Sequence, residues 1–281
     1  MPFISANSFY RATNVLSALF DRTGPINGAA AFRNLAVAAA GMAALTLGML
    51  IFDTRTLSGE PVWLKPFKFA ISFGILFATI GFVAGRLSDR WQTNAFIGLA
   101  VVAAGAAFAF EMSYIGAQAA QAEPSHFNET TAFHERMYSL MGLGASGLMA
   151  AIATVGFAAW FDRRARLGDA TRLAIVAGFL GTVVLTLFVA GELAGNGSRY
   201  IGIPTEGGPR LPVLGWSMEV GDLRPAHFLS LHMMQALPLL GLLADRRHHG
   251  VGIIVIGATL YAAMTLLVYL QAVRGLPLLG A

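Results

Sequence analysis

The few ionisable residues that interrupt the apolar stretches of this sequence carry its possible chemistry. Glu111 sits inside such a stretch, with Tyr114 and Gln118 at i+3 and i+7, so a helix there has one polar face. If that helix crosses a bilayer, an unpaired carboxylate costs a few kcal/mol and marks a functional position. Proton transfer or ligand recognition are the chemistries open to it, and a hydrogen bond between helices is the plainer role.

Only two lysines occur, Lys65 and Lys68, which with Ser72 form an i, i+3, i+7 stripe. Beside Trp63 they suit interfacial snorkelling, or a cationic patch for an anion, a lipid headgroup or a carboxylate-bearing ligand. Histidines gather in neighbouring stretches. His126 lies in SHFN, His134 stands four residues before Tyr138, and His227 and His232 precede Gln235. A separation of five residues turns about 140° around a helix, so His227 and His232 do not share a face, whereas His232 and Gln235 do. Glu192 has Asn196 one turn beyond it, and Gly191 with Gly195 forms a small-xxx-small patch that allows close helix approach. His248 and His249 fall in a short polar connection.

These residue types permit three chemistries. His134 and His232, at similar depth on two helices, suit axial ligation of haem b, with Tyr261 or Tyr269 lining the pocket. Electron exchange with a quinone belongs to the same redox reading, Glu111 then giving or taking a proton. In a carrier or ligand-binding protein, Glu111 is instead the coupling group, and Lys65, Lys68 and Arg224 attract an anion. In a metal-dependent hydrolase, Glu111, Glu192, His134 and His232 are hard ligands for zinc or iron. An accessory subunit using its polar loops to bind membrane partner subunits is a fourth possibility. The absence of cysteine excludes thiolate chemistry, iron–sulfur clusters and disulfides. GLGASG at 142–147 matches G-x-G-x-x-G, but it sits in an apolar run with no preceding strand, so its glycines are expected to serve helix packing.

The elements that must position these groups follow from composition. Of 281 residues, 56% are hydrophobic and 12% charged, about half the charge of a soluble domain. Apolar blocks of about 20 residues each span a hydrocarbon core, and they recur near 34–52, 66–85, 95–118, 135–160, 170–194, 226–244 and 251–272. The expected fold is all-α, a polytopic integral membrane protein with a seven-helix transmembrane bundle over 34–272. It is preceded by a cytoplasmic or interfacial segment, 1–33, in which Phe3–Phe20 forms a short amphipathic helix or a loose tail. A tail, 273–281, follows the bundle.

One set of connections, with the N-terminal segment, holds eleven arginines against five acids. Arginine-dense short loops mark the cytoplasm, so the N-terminus is placed inside and the long connections at 59–69, 121–137 and 196–225 outside. The basic residues are thereby explained without a nucleic-acid partner. The expected partners are the lipid bilayer and a small molecule, in a bacterial inner membrane.

PVWLKPFKFAIS (61–72), PSHFN (124–128) and GWSMEVGDLRPAHFLSLHMMQALP (215–238) resemble stretches of a family of uncharacterised bacterial multi-pass membrane proteins. The resemblance runs from the second span to the sixth and implies that the polar outer face matters, without assigning chemistry. Microbial rhodopsins need a lysine in the last helix, and ceramidase-like hydrolases a histidine pair there; 251–272 has neither.

Overall fold

The structure is a computed structural model of the chain that describes residues 25–247 and 249–280. The Phe3–Phe20 segment, Arg11, Arg22 and His248 lie outside the described residues. Seven long helices account for the apolar blocks: α1 (Gly28–Phe52), α2 (Leu64–Ala84), α4 (Ala95–Gln121), α5 (Ala132–Phe161), α6 (Asp169–Gly195), α7 (Arg224–Ala244) and α8 (Gly250–Val273). Each is long and apolar enough to cross a membrane. One turn of helix, α3 (Asp89–Gln92), links α2 to α4. The protein is thus an all-α polytopic membrane bundle. Among the described residues, sheet is limited to two antiparallel ribbons of two-residue strands, β1 (Thr56–Leu57) with β2 (Glu60–Pro61), and β3 (Tyr200–Ile201) with β4 (Gly221–Asp222).

Several helices begin before their apolar runs, where polar caps satisfy orphan backbone donors. α1 starts at Gly28 rather than 34 because Asn27 accepts from the Ala30 N–H at 2.9 Å. α5 starts at Ala132 rather than 135, with Thr131 accepting from the His134 N–H at 3.2 Å. Helix is thus extended into polar sequence, and His134 is brought into the first turn.

The bundle buries a core of Phe32, Phe73, Phe77, Phe108, Ile152 and Phe179, with the Phe108 ring edge-on to both Phe73 and Phe77. Its flanks are apolar as well. Val37, Leu99, Leu143, Val184 and Leu267 are all exposed, as expected where lipid replaces water. α1 packs most closely on α2, and α6 on α7. The second pairing depends on Gly178: a Cβ there would sit 3.0 Å from the Met233 carbonyl oxygen and 3.3 Å from Leu237 Cβ. The small-xxx-small patch is therefore not where the sequence suggested. Gly191 and Gly195 have nothing within 4 Å of a notional Cβ. In GLGASG, Gly144 and Gly147 do face α4, at Ala107 and Ala103.

One end of the bundle has short connections fastened by carboxylates. Asp162 accepts from the Ser88 N–H at 2.6 Å and its hydroxyl at 3.0 Å, and Asp245 accepts from Ala170 N–H at the start of α6. The other end carries the long connections 53–63, 122–131 and 196–223, and the candidate chemistry gathers there.

Candidate functional site

The polar face of α4 points inward. Glu111, Tyr114 and Gln118 are 5%, 6% and 2% exposed. Glu111 packs on Gly144 of α5, its Oε1 3.6 Å from where a Cβ would lie, and a larger residue at 144 would crowd the carboxylate. Tyr114 shares a 3.0 Å hydrogen bond with His134 Nδ1. Gln118 donates to the Pro124 carbonyl at 3.1 Å and to Glu123 at 3.4 Å, which ties the 122–131 connection to the helix.

A second cluster adjoins Glu111. Lys65, in the first turn of α2, hydrogen-bonds His126 Nδ1 at 3.0 Å and lies within electrostatic reach of Glu111. His126 hangs from the 122–131 connection between the Phe69 and Tyr138 rings, 5.4 and 6.1 Å away, and the Ser125 hydroxyl is 3.2 Å from the same Nδ1. Burial holds this imidazole well below its usual titration range, and the neighbouring Lys65 and His227 charges add to the effect. It is therefore neutral, and the Lys65 ammonium donates to it. His227 and His232 follow on α7 within electrostatic reach of one another, with the His232 ring 4.2 Å from that of Phe228. Gln235 donates to Thr79 of α2 at 3.3 Å.

The long connection lies over this cluster. Asp222, its side chain fully buried, accepts from Arg224 at 2.6 Å and from the Ser217 N–H at 2.9 Å. Arg224 in turn donates to the Gly215 carbonyl at 2.6 Å. Lys68 reaches the neighbouring Leu214 carbonyl at 3.5 Å. His227 Nδ1, Gln235 Oε1 and Glu60 Oε1 are buried without a hydrogen-bond partner. Glu60 is 3.7 Å from Arg210. Buried polar atoms left unsatisfied are uncommon and call for an explanation.

The structure thus joins Lys65 to His126, with Glu111 and His227 within electrostatic reach of that pair, and places the other sequence candidates around them. Trp63 faces away, donating to Asp53 at 2.8 Å. Glu192 is exposed and accepts from Tyr269 of α8 at 3.4 Å. His134 has both ring nitrogens engaged, Nδ1 with Tyr114 and Nε2 with Glu123 at 3.5 Å. Among the described residues no group of three or more His, Asp or Glu is placed to hold a metal ion.

Sequence reasoning passed over the central roles of His126 and His227 and the Asp222–Arg224 pair. A loop histidine has no periodicity to expose it. The Asp-Leu-Arg-Pro step at a helix start was the available sign of a capping ion pair. No family model, curated protein or solved structure matches this chain.

Proposed function

We propose that the protein is a ligand-binding or carrier protein whose long-loop end takes up a small anion of the carboxylate class. One observation carries this reading. Lys65 is hydrogen-bonded to a neutral imidazole, and among the described residues neither it nor Lys68 has a carboxylate within 4.0 Å. A partly buried cation without a counter-ion is costly, and an anionic ligand supplies one. The unpartnered His227 Nδ1 and Gln235 Oε1 offer further polar contacts to its head group.

The engagement of both His134 nitrogens favours this reading over haem, since axial ligation requires a free ring nitrogen. The three sequence stretches that carry the family resemblance supply Lys65 and Lys68, His126, and Asp222 to Gln235. That they meet at one end supports a shared binding role for such proteins. The arginine asymmetry supports a bacterial cytoplasmic membrane with this end outside.

Thermal unfolding of the detergent-solubilised protein tests the proposal with acetate, succinate, citrate and inorganic phosphate as probes. A carboxylate that binds stabilises by about 2.7 kcal/mol at a hundredfold excess over its Kd, and Lys65→Met abolishes the shift. A shift undiminished in both Lys65→Met and Lys68→Gln, or none with any probe, overturns it.

A further inference from the structure

Beyond anion uptake at the long-loop end, the opposite end of the bundle holds a second group of unneutralised cations. Arg166 fastens the α5–α6 connection, 162–168, to the end of α2. Its backbone N–H donates to the Arg86 carbonyl at 2.8 Å, and its guanidinium donates to the Gly85 carbonyl at 3.0 Å. Arg86 turns back along α2 and donates to the Phe82 carbonyl at 3.3 Å, with its guanidinium 3.8 Å from the Phe82 ring centroid. Gly85, Arg86 and Arg166 together line an open recess of about 280 Å³. Small-molecule sites begin at roughly 300 Å³, so this space suits a head group rather than a whole amphiphile.

Capping the last carbonyls of α2 is the plainer role for both arginines. It engages only one of the five N–H donors of each guanidinium. Among the described residues neither has a carboxylate within 4.0 Å. Asp162 and Asp245, at the same end, are engaged elsewhere. Asp162 accepts from the Ser88 N–H and hydroxyl and from the Arg164 N–H, and Asp245 from the N–H groups of Ala170 and Thr171. Two guanidinium groups that share a recess, each with donors left over, offer the forked geometry that phosphate oxygens accept. The setting is amphipathic as well. Phe82, over which Arg86 lies, is exposed, as are Trp160 and Phe161 at the end of α5.

We propose that this recess binds the phosphate ester head group of an anionic phospholipid. The phosphate oxygens accept from Arg86 and Arg166, and the acyl chains lie along the exposed Phe82 flank of α2. Lysine would serve membrane topology as well as arginine does, but a point charge does not present paired donors to a phosphate. Because one head group touches both α2 and the α5–α6 connection, the lipid bridges the earlier and later halves of the bundle.

The test reconstitutes the full-length protein in vesicles of phosphatidylcholine with a minor share of phosphatidylglycerol. Lipids that stay bound after mild detergent extraction are counted by native mass spectrometry. The native protein is expected to enrich phosphatidylglycerol above its share in the vesicle. Each arginine contributes roughly fivefold, so Arg86→Gln lowers the enrichment by about that factor, and Arg86→Gln with Arg166→Gln by about tenfold or more. Arg246→Gln with Arg247→Gln removes the same charge from exposed residues outside the recess and leaves most of the enrichment. The Arg86 side chain hydrogen-bonds only back onto α2, so its single variant tests the site even where loss of the Arg166 bond loosens the connection. No enrichment in the native protein, or equal losses in the two double variants, overturns the proposal. A second arm offers glycerol phosphate to delipidated protein in detergent. Binding as tight as that of phosphatidylglycerol, and lost with the same two arginines, overturns the lipid assignment in favour of a soluble phosphate ester. Carboxylate binding at the long-loop end depends on Lys65, so either proposal can fail alone.

Discussion

Lys65 and His126, 61 residues apart in the chain, are joined by a 3.0 Å hydrogen bond in which an ammonium donates to a neutral imidazole. The bond closes the 122–131 connection onto the first turn of α2. Because the acceptor carries no charge, the cation keeps its net field. A carboxylate in place of His126 would cancel that field, and the site would lose its attraction for anions.

The suppressed imidazolium of His126 makes stability depend on pH. The unfolded chain takes up a proton at this position near pH 6.5, whereas the folded protein does so only well below that value. Between the two the unfolded state binds more protons, so stability falls as pH drops below about 6.5. His126 contributes at most about 1.4 kcal/mol per pH unit in that window. Melting curves in detergent at falling pH measure the slope, and His126→Gln is expected to flatten it. Identical slopes in the two proteins would remove His126 as the cause.

Asp222 is the anchor of the long connection. Its replacement by Asn leaves Arg224 without its buried counter-charge, a change that typically costs about 3 kcal/mol. Segment 199–223 is then expected to become the first site of cleavage in limited proteolysis, while α1 and α2 stay intact. Asp53→Asn, which breaks the surface pair with Arg55, leaves that pattern unchanged. Equal protease resistance of Asp222→Asn and the native protein would rule out the anchoring role.

The arginine count predicts that the long-loop end lies outside, and single cysteines check it, since the native chain gives no background. Glu129→Cys and Glu206→Cys react with an impermeant thiol reagent in intact cells, whereas Arg164→Cys reacts only after lysis. The reverse pattern would invert the topology.

The spans were legible because hydrophobicity over some twenty residues is a summed property, insensitive to any one position. Their beginnings were less so, since Asn27 and Thr131 set them by single hydrogen bonds. The Glu111–Tyr114–Gln118 face could be read from helical spacing alone. The Lys65–His126 contact could not, because it joins a helix to an irregular loop. Helical geometry excluded a shared face for His227 and His232 but could not show that the α4–α5 connection brings His126 near His227.

The packing of Glu111 against Gly144 of α5 bears on how the chain is made. Synthesis runs from the N-terminus, so α4 is complete before Gly144 and His134 exist, and well before α7 contributes His227. The segment must enter the bilayer before those later residues enclose its acid, against a cost of a few kcal/mol. Its remaining residues offset this, for the mean hydropathy of the helix's most apolar stretch is 2.0. Insertion and site assembly are therefore separate events, the first carried by alanines and phenylalanines, the second completed only when the sixth span arrives.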